Sequence, residues 1–435
     1  MAGKYSSLVI LPAVPPCLAL LYAASVQLMQ MVWHDADWKY HLQAITVRAS
    51  LALGTGLASF IGVQHNAIAK APPQHRLNVG LGLSFLSVAS TAWLVGQTRQ
   101  VYVNARPPLL PSKSLAGRHV LITGANQGIG FETARQLYDA GATVTLGCRS
   151  EYRAKEAIAS ILAQSKDPDE KRLIFLKVDV GNLTSVRSAA SMYKDDFNLP
   201  LHVLILNAGI MMSDRRQSID NFELTMACNH LGHFLLTNLL LPLLQKQEDS
   251  RVISLTSSTY NLAAAEGINL EDLNCEKRPY SMFSQYAQTK LANILMVKEL
   301  ARREADETLK APGTHQVSAY AVHPGLVRTD VVRNMPWYLR YPNKWFGFIV
   351  GALQKTPEAG AYTSVYCATS SELEGGSGKY YANSRRAPLT DVANDDEVSY
   401  DPSGFLVYIS LCMIIFLSAF SSLSFSTINC FLLSS

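Results

Sequence analysis

Two short stretches, about 160 residues apart, bring together side chains that could do chemistry. The first is Thr123-Gly124-Ala125-Asn126-Gln127-Gly128-Ile129-Gly130, with three glycines where a strand-like run gives way to a helical one. Glycine lets backbone approach a ligand closely, and a helix N-terminus offers unpaired N–H groups with partial positive charge. This turn therefore suits the pyrophosphate of a dinucleotide. The second is Tyr286-Ala287-Gln288-Thr289-Lys290, which sets a phenol and an ammonium one helical turn apart on one face. A tyrosine with a pKa of about 10 is a poor base at neutral pH. A nearby ammonium and an oxidised nicotinamide ring favour the phenolate, so the spacing predicts a lowered Tyr286 pKa. Together the two stretches point to nicotinamide-dependent hydride transfer at a carbonyl or alcohol, with Tyr286 as acid and base.

Other residues add detail to that chemistry. The strand after the glycine turn ends at Gly147-Cys148-Arg149-Ser150. An acid there would bind the ribose 2′-hydroxyl and favour NAD, whereas the Arg149 guanidinium pairs with a 2′-phosphate and favours NADP(H). The alternative for Arg149 is a solvated residue at a helix start. Asp179, after the third strand, is placed to accept from the adenine amine or to cap the following helix. Asn229, in Cys228-Asn229-His230-Leu231-Gly232-His233-Phe234, can hold a water linking Lys290 to solvent. His230 and His233 read as satisfied core or surface groups. The strand Arg251–Ser257 ends among three hydroxyls, Thr256, Ser257 and Ser258, one of which can polarise a substrate oxygen. No His, Cys and Asp cluster has metal-ligand spacing, so no metal is expected.

The elements that must position these groups alternate along the chain. Strand-like runs are expected at 118–123, 143–147, 173–178, 203–206, 252–255, 317–322 and 378–381. Helical patterns fall at 128–140, 151–164, 182–197, 224–245 and 285–305. Such alternation predicts an α/β fold, a doubly wound parallel sheet of Rossmann type in one domain over 118–400. A Pro-containing linker, 105–117, precedes it. The sequon Asn182-Leu183-Thr184 lies at an expected helix start.

Outside that domain the composition changes. Charged residues make up 17% of the chain, and four stretches, roughly 5–33, 49–69, 77–98 and 402–435, carry almost none. A run of about 20 apolar residues spans a bilayer, so region 1–104 is read as two to three transmembrane helices and 401–435 as a further membrane or membrane-associated helix. For the first run a cleaved signal peptide is the alternative. Arg99, Arg106, Lys113 and Arg118 follow the third run and place the soluble domain on the cytosolic side. Cysteines at 148, 228, 275 and 367 suggest neither zinc nor a disulfide framework, which agrees with a reducing compartment. A net charge of +4 without an arginine-rich aromatic face argues against nucleic acid as a partner.

On these residues the stretch from about 118 to 385 resembles the short-chain dehydrogenase/reductase superfamily. Its landmarks here are TGANQGIG, Asp179, Asn207-Ala208-Gly209, Asn229, Ser257, the Tyr286/Lys290 pair, and Val322-His323-Pro324-Gly325 with Thr329. The resemblance implies a catalytic set of Asn229, Ser257, Tyr286 and Lys290, and it is what selects Ser257 over its neighbours. It also implies cofactor contacts from Asn207, Ala208, Gly209, Pro324 and Gly325, with Thr329 at the nicotinamide carboxamide. Leu206 stands where the family usually has asparagine, a change in packing more than chemistry. LILNAGIMM, NHLGHFLLT and KTPEAGA are similar to the retinol dehydrogenase-like branch, and PLHVLILNAGIMM and SELEGGSGKY look most like its members acting on polyprenol and dolichal.

In that family the substrate segment follows the Pro-Gly pair, here about 331–353. It carries Trp337, Tyr338, Tyr341, Trp345, Phe346 and Phe348 interleaved with Arg333, Arg340 and Lys344. That mixture suits a bilayer interface and a lipophilic substrate: a retinoid, polyprenoid, sterol or fatty aldehyde. The expectation is a membrane-bound NADP(H)-dependent oxidoreductase in the endoplasmic reticulum with its catalytic domain facing the cytosol, able to form a homodimer as family members do. The alternatives are an NADP(H)-binding membrane scaffold or sensor without turnover, and a protochlorophyllide reductase-like enzyme.

Overall fold

Among the described residues eight strands make one sheet: β1 (His119–Thr123), β2 (Thr143–Cys148), β3 (Leu173–Lys177), β4 (Val203–Leu206), β5 (Arg251–Leu255), β6 (Ser318–His323), β7 (Lys379–Ala382) and β8 (Arg385–Ala387). The computed structural model describes residues 114–263, 267–306, 308, 312–327, 354–373, 376–390 and 393. The four apolar runs expected to meet a membrane, the substrate segment 331–353 and Thr329 all lie outside the described residues. Among the described residues no helix is long and apolar enough to cross a membrane.

The strand order is β3-β2-β1-β4-β5-β6-β7-β8. Every pairing from β1 to β7 is parallel, as the alternation predicts. The last strand departs from the expected all-parallel sheet: β8 runs antiparallel to β7. Asn383 and Ser384, at φ 52 and 57, make the two-residue turn between them, and a left-handed pair is what a tight hairpin requires. The chain order reverses between β1 and its two neighbours, β2 and β4. In open α/β sheets the crevice beyond the strand ends at such a point is where ligands bind.

Side chains along each strand alternate between two cores. Leu121, Leu204, Val252, Ala319 and Ala321 face the helices α3 (Leu183–Ser191), α4 (Gly232–Leu244) and α5 (Met282–Ala305). Val120, Ile122, Ile205, Ile253, Tyr320 and Val322 face α1 (Gly128–Asp139), α2 (Glu151–Gln164) and α6 (Pro357–Thr369). Both faces are thus covered, and each buried aliphatic side chain contributes roughly 1.5–3 kcal/mol of transfer free energy. Leu115, N-terminal to the expected start of the domain, is buried in the second core.

Two helical stretches are less regular than their patterns suggest. The run expected over 182–197 is α3 followed by a π-helical turn, Met192–Asp196, and Asn182 caps its start by accepting from Ser185 N. The run expected over 224–245 begins with one α turn, Leu224–Met226, and passes through a second π-helical turn, Ala227–Leu231, before α4. Asn229 sits inside that turn, the kind of local widening that often accompanies a functional site.

Candidate active site

The glycine turn occupies the switch point between β1 and α1. Gly124 has φ +66, a left-handed conformation that favours glycine, and a Cβ there would stand 3.1 Å from Ala208 Cα. Gly130 is in the helix, and a Cβ would collide with Asn207 Nδ2 and the Gly124 carbonyl. Asn207 Nδ2 donates to the carbonyls of Thr123 (2.8 Å) and Gly124 (3.3 Å), so the end of β4 grips the turn from below. Gln127 occupies the N-cap position of α1 without a side-chain hydrogen bond, and the first turn carries no acid. That leaves an open cradle of N–H groups, which fits an anionic pyrophosphate. Asn126 is partly exposed beside it, and the partly buried Ile129 side chain packs against the second core. Beneath the turn the Cys148 thiol takes hydrogen bonds from the Ala125 and Asn126 amides, and burial pushes it up to about 11.

Arg149 and Asp179 lie at the ends of neighbouring strands, as their spacing predicts. Arg149 is exposed and 3.9 Å from an Asp179 oxygen, too long and too wet a pair to hold it firmly. Ser150, not Arg149, caps α2 by accepting from Arg153 N. Asn182 caps α3, and Asp179 instead turns Oδ1 to the Gly181 amide at 3.0 Å.

The second cluster lies where β5 and α5 meet. Ser281 caps α5, and from there the helix carries Tyr286 and Lys290 on one face. Lys290 Nζ donates to the Leu255 carbonyl at 3.1 Å and lies 5.2 Å from the centre of the Tyr286 ring. A Cβ on Gly209 would stand 3.7 Å from that Nζ and 3.5 Å from Asn229 Oδ1, so these three residues converge. The Asn229 side chain accepts from Ile210 N (2.8 Å) and donates to Ile210 O (2.9 Å) and Thr289 Oγ1 (3.1 Å). Thr256 is buried and its hydroxyl donates to the Lys290 carbonyl at 2.7 Å. Ser258 donates its amide to His323 Nδ1 at 3.4 Å. Ser257 is partly exposed at the strand end, its Oγ accepting, among the described residues, from Thr259 N at 3.3 Å. Of the three neighbouring hydroxyl residues, geometry thus leaves Ser257 and Ser258 accessible and removes Thr256. Among the described residues no hydrogen bond joins the side chains of Ser257, Tyr286 and Lys290 to one another.

The electrostatics differ from expectation in one respect. Burial pushes the Tyr286 phenol above its ordinary value, not below it, although the residue keeps some exposed surface. Burial likewise pushes Lys290 down to about 8. The ammonium is tied to a backbone carbonyl beside the ring, and desolvation penalises the charged form of both groups.

Several residues that spacing did not single out support these two clusters. Glu223 is fully buried and accepts from Thr225 N, Met226 N, Gln285 Nε2 and the Tyr280 hydroxyl, tying the start of the Asn229 turn to the residue before Tyr286. Lys355 is buried, donates to Asn383 Oδ1 at 2.6 Å, and lies over Gly325, whose φ is +89. Pro324 and Gly325 follow β6 at the same strand ends. His230 and His233 are fully buried and hydrogen-bonded, to Asn293 and to Asn229 and Thr123. The signal for Glu223 was its place immediately before the helical run expected from 224, where its carboxylate can cap the first turn. Nothing local marks Lys355. Among the described residues no acid and histidine cluster could hold a metal.

The pattern of the short chain dehydrogenase family matches residues 118–337. The chain is 37% identical over 304 residues to polyprenol dehydrogenase of Mus musculus, covering 69% of this chain and 85% of that one. It is 39% identical over 294 residues to retinol dehydrogenase 14 of Homo sapiens, covering 65% of this chain and 83% of that one. Among solved structures, an uncharacterized protein from Mycobacterium Paratuberculosis aligns with a TM-score of 0.52 at 30% identity, covering 70% of this chain and 95% of that one.

Proposed function

Because this chain belongs to the short-chain dehydrogenase family, in the branch of the retinol and polyprenol dehydrogenases, we propose that it is a membrane-bound NADP(H)-dependent oxidoreductase interconverting a lipophilic alcohol and its aldehyde or ketone. The observation that carries the reading is the convergence of Gly209, Asn229 and Lys290 beside Tyr286, one strand from an uncapped glycine turn shaped for pyrophosphate.

A bound nicotinamide dinucleotide supplies or accepts the hydride. The α1 N-terminus and the Gly124–Gly130 backbone hold its pyrophosphate, and Arg149, loosely paired and exposed, binds the 2′-phosphate. Asp179 would receive the adenine amine and Pro324 and Gly325 would border the nicotinamide; the family resemblance gives Thr329, outside the described residues, a role at the same ring. Ser257 orients the substrate oxygen with its hydroxyl. In reduction Tyr286 gives that oxygen its proton; in oxidation it takes the proton back. A phenol held neutral by its surroundings starts in the form that reduction needs. Lys290 backs the phenol and holds the nicotinamide ribose, while Asn229 fixes the backbone beside it. The apolar runs outside the described residues anchor the enzyme in the endoplasmic reticulum, with this domain in the cytosol, where a lipid-soluble substrate is at hand.

The test is NADPH consumption by detergent-solubilised full-length protein with retinal, a polyprenal, a sterol ketone and a long-chain aldehyde, alongside Tyr286→Phe. Turnover of one substrate, lost by a factor of about 10²–10⁴ in the variant with NADPH binding intact, is the expected result. Tight NADPH binding with no turnover of any of the four would transfer the reading to a nucleotide-dependent scaffold.

A further inference from the structure

His233 lies in the first turn of α4, completely buried, with both ring nitrogens engaged. Nδ1 is 3.1 Å from the Asn229 carbonyl, which can only accept, so Nδ1 carries the hydrogen. Nε2 is 2.9 Å from Thr123 Oγ1. That hydroxyl already accepts from the amides of Asn207 (2.9 Å) and Ala208 (3.0 Å), which uses both of its lone pairs. Its own proton therefore goes to the bare Nε2 at 2.9 Å in preference to the Ile205 carbonyl at 3.5 Å. Both ends of the ring dictate one tautomer. Burial, with Lys290 nearby, pushes the imidazole down to about 3, so the ring is neutral at physiological pH.

From these contacts we propose that His233 is a positioning residue of the hydride-transfer site: a neutral strut, protonated on Nδ1, that joins the Asn229 carbonyl to the Thr123 hydroxyl. Its consequence lies in the segment 207–210. Thr123, oriented by His233, holds the amides of Asn207 and Ala208 at one end. Asn229, whose carbonyl His233 engages, holds Ile210 N and O at the other. Gly209, between them, faces Lys290 Nζ. One ring thereby sets the distance between the dinucleotide turn and the lysine that backs Tyr286. A phenylalanine would fill the same space but take away the acceptor of the Thr123 hydroxyl proton and the ring N–H that the Asn229 carbonyl accepts. This inference rests on the reading of the site as a dinucleotide-dependent dehydrogenase.

Two variants split the strut. The asparagine amide reaches about where Nδ1 lies, so His233→Asn keeps a donor for the Asn229 carbonyl and removes the acceptor for Thr123. The glutamine amide reaches about where Nε2 lies, so His233→Gln does the reverse. In the full-length solubilised protein, NADPH affinity is read by fluorescence titration and kcat by turnover of retinal at saturating NADPH. His233→Asn is expected to weaken NADPH binding about tenfold with the smaller effect on kcat. His233→Gln is expected to lower kcat about tenfold with NADPH binding within about threefold of the parent. Equal changes in both variants, or no change in either, would overturn the proposal and leave His233 a core residue only. If the parent binds NADPH yet reduces no aldehyde, the functional reading fails, and the two nucleotide affinities still decide the Thr123 end of the strut. Should neither variant fold, ¹⁵N-histidine NMR of the parent decides: a neutral ring protonated on Nδ1 supports the strut, and one protonated on Nε2 refutes it.

Discussion

Lys290 and Tyr286 share one face of α5, yet the ammonium lies 5.2 Å from the centre of the phenol ring and is bound to the Leu255 carbonyl at 3.1 Å. The lysine is thus anchored to β5, and its charge meets the tyrosine over the ring. Both groups are pushed toward their neutral forms. Within the chain alone the phenol is an acid in waiting, and a positive nicotinamide ring is the remaining influence that can favour the phenolate.

Lys290 also links pH to stability. Its folded value of about 8 lies below the ordinary 10.5, so between those values the unfolded chain binds more protons and stability rises with pH. The Lys290 contribution is of the order of 3 kcal/mol across that window. In Lys290→Met the Leu255 carbonyl keeps its second donor, Asn293 Nδ2 at 3.1 Å, so no acceptor is orphaned. The variant should be inactive, at least as stable as the parent at pH 7, and gain less stability between pH 8 and 10. Urea unfolding at a series of pH values checks this; an equal gain in both proteins would contradict the assignment.

Arg149→Asp should invert cofactor choice. On the proposed reading the exposed guanidinium pairs with a 2′-phosphate, whereas an acid there repels it and accepts from a ribose hydroxyl. The ratio of kcat/KM for NADPH over NADH should fall by about 100-fold or more. An unchanged ratio would mean that another residue reads the phosphate.

Gly130→Ala tests the cradle. The added methyl meets Asn207 Nδ2 and the Gly124 carbonyl, backbone that cannot yield without moving the turn. NADPH affinity should drop by about 100-fold or more, at a stability cost of about 1–3 kcal/mol from overpacking. Calorimetric titration showing parental affinity would place the nucleotide elsewhere.

Glu223→Ala should be among the most destabilising single changes in the domain. It strips acceptors from two helix-entry amides and from Gln285 in a fully buried setting, a loss of about 2–4 kcal/mol. A fall in thermal midpoint together with loss of turnover is expected, since Asn229 lies six residues on. A stable variant with parental kcat would show that the Asn229 turn is held by other contacts.

The alternation of strands and helices, the glycine turn, and the pairing of Tyr286 with Lys290 were legible in the order of residues. These depend on period and local geometry, which neighbours along the chain fix without help. Helix α2 and strand β4 fall at the predicted bounds because their apolar patterns and flanking breakers are local. Strand β8 was missed because three residues carry no period, and Asn383-Ser384 lacks the glycine that marks most tight hairpins. Tertiary structure alone decided the rest. Thr256 is withdrawn from the site because α5 offers its hydroxyl the Lys290 carbonyl, a contact 34 residues away. The sign of the Tyr286 shift follows from burial, which spacing does not reveal. His233 reads as an ordinary core histidine until β1 and the Asn229 turn are seen to meet at its two nitrogens, because a tautomer is chosen by partners and those partners come from elsewhere in the fold.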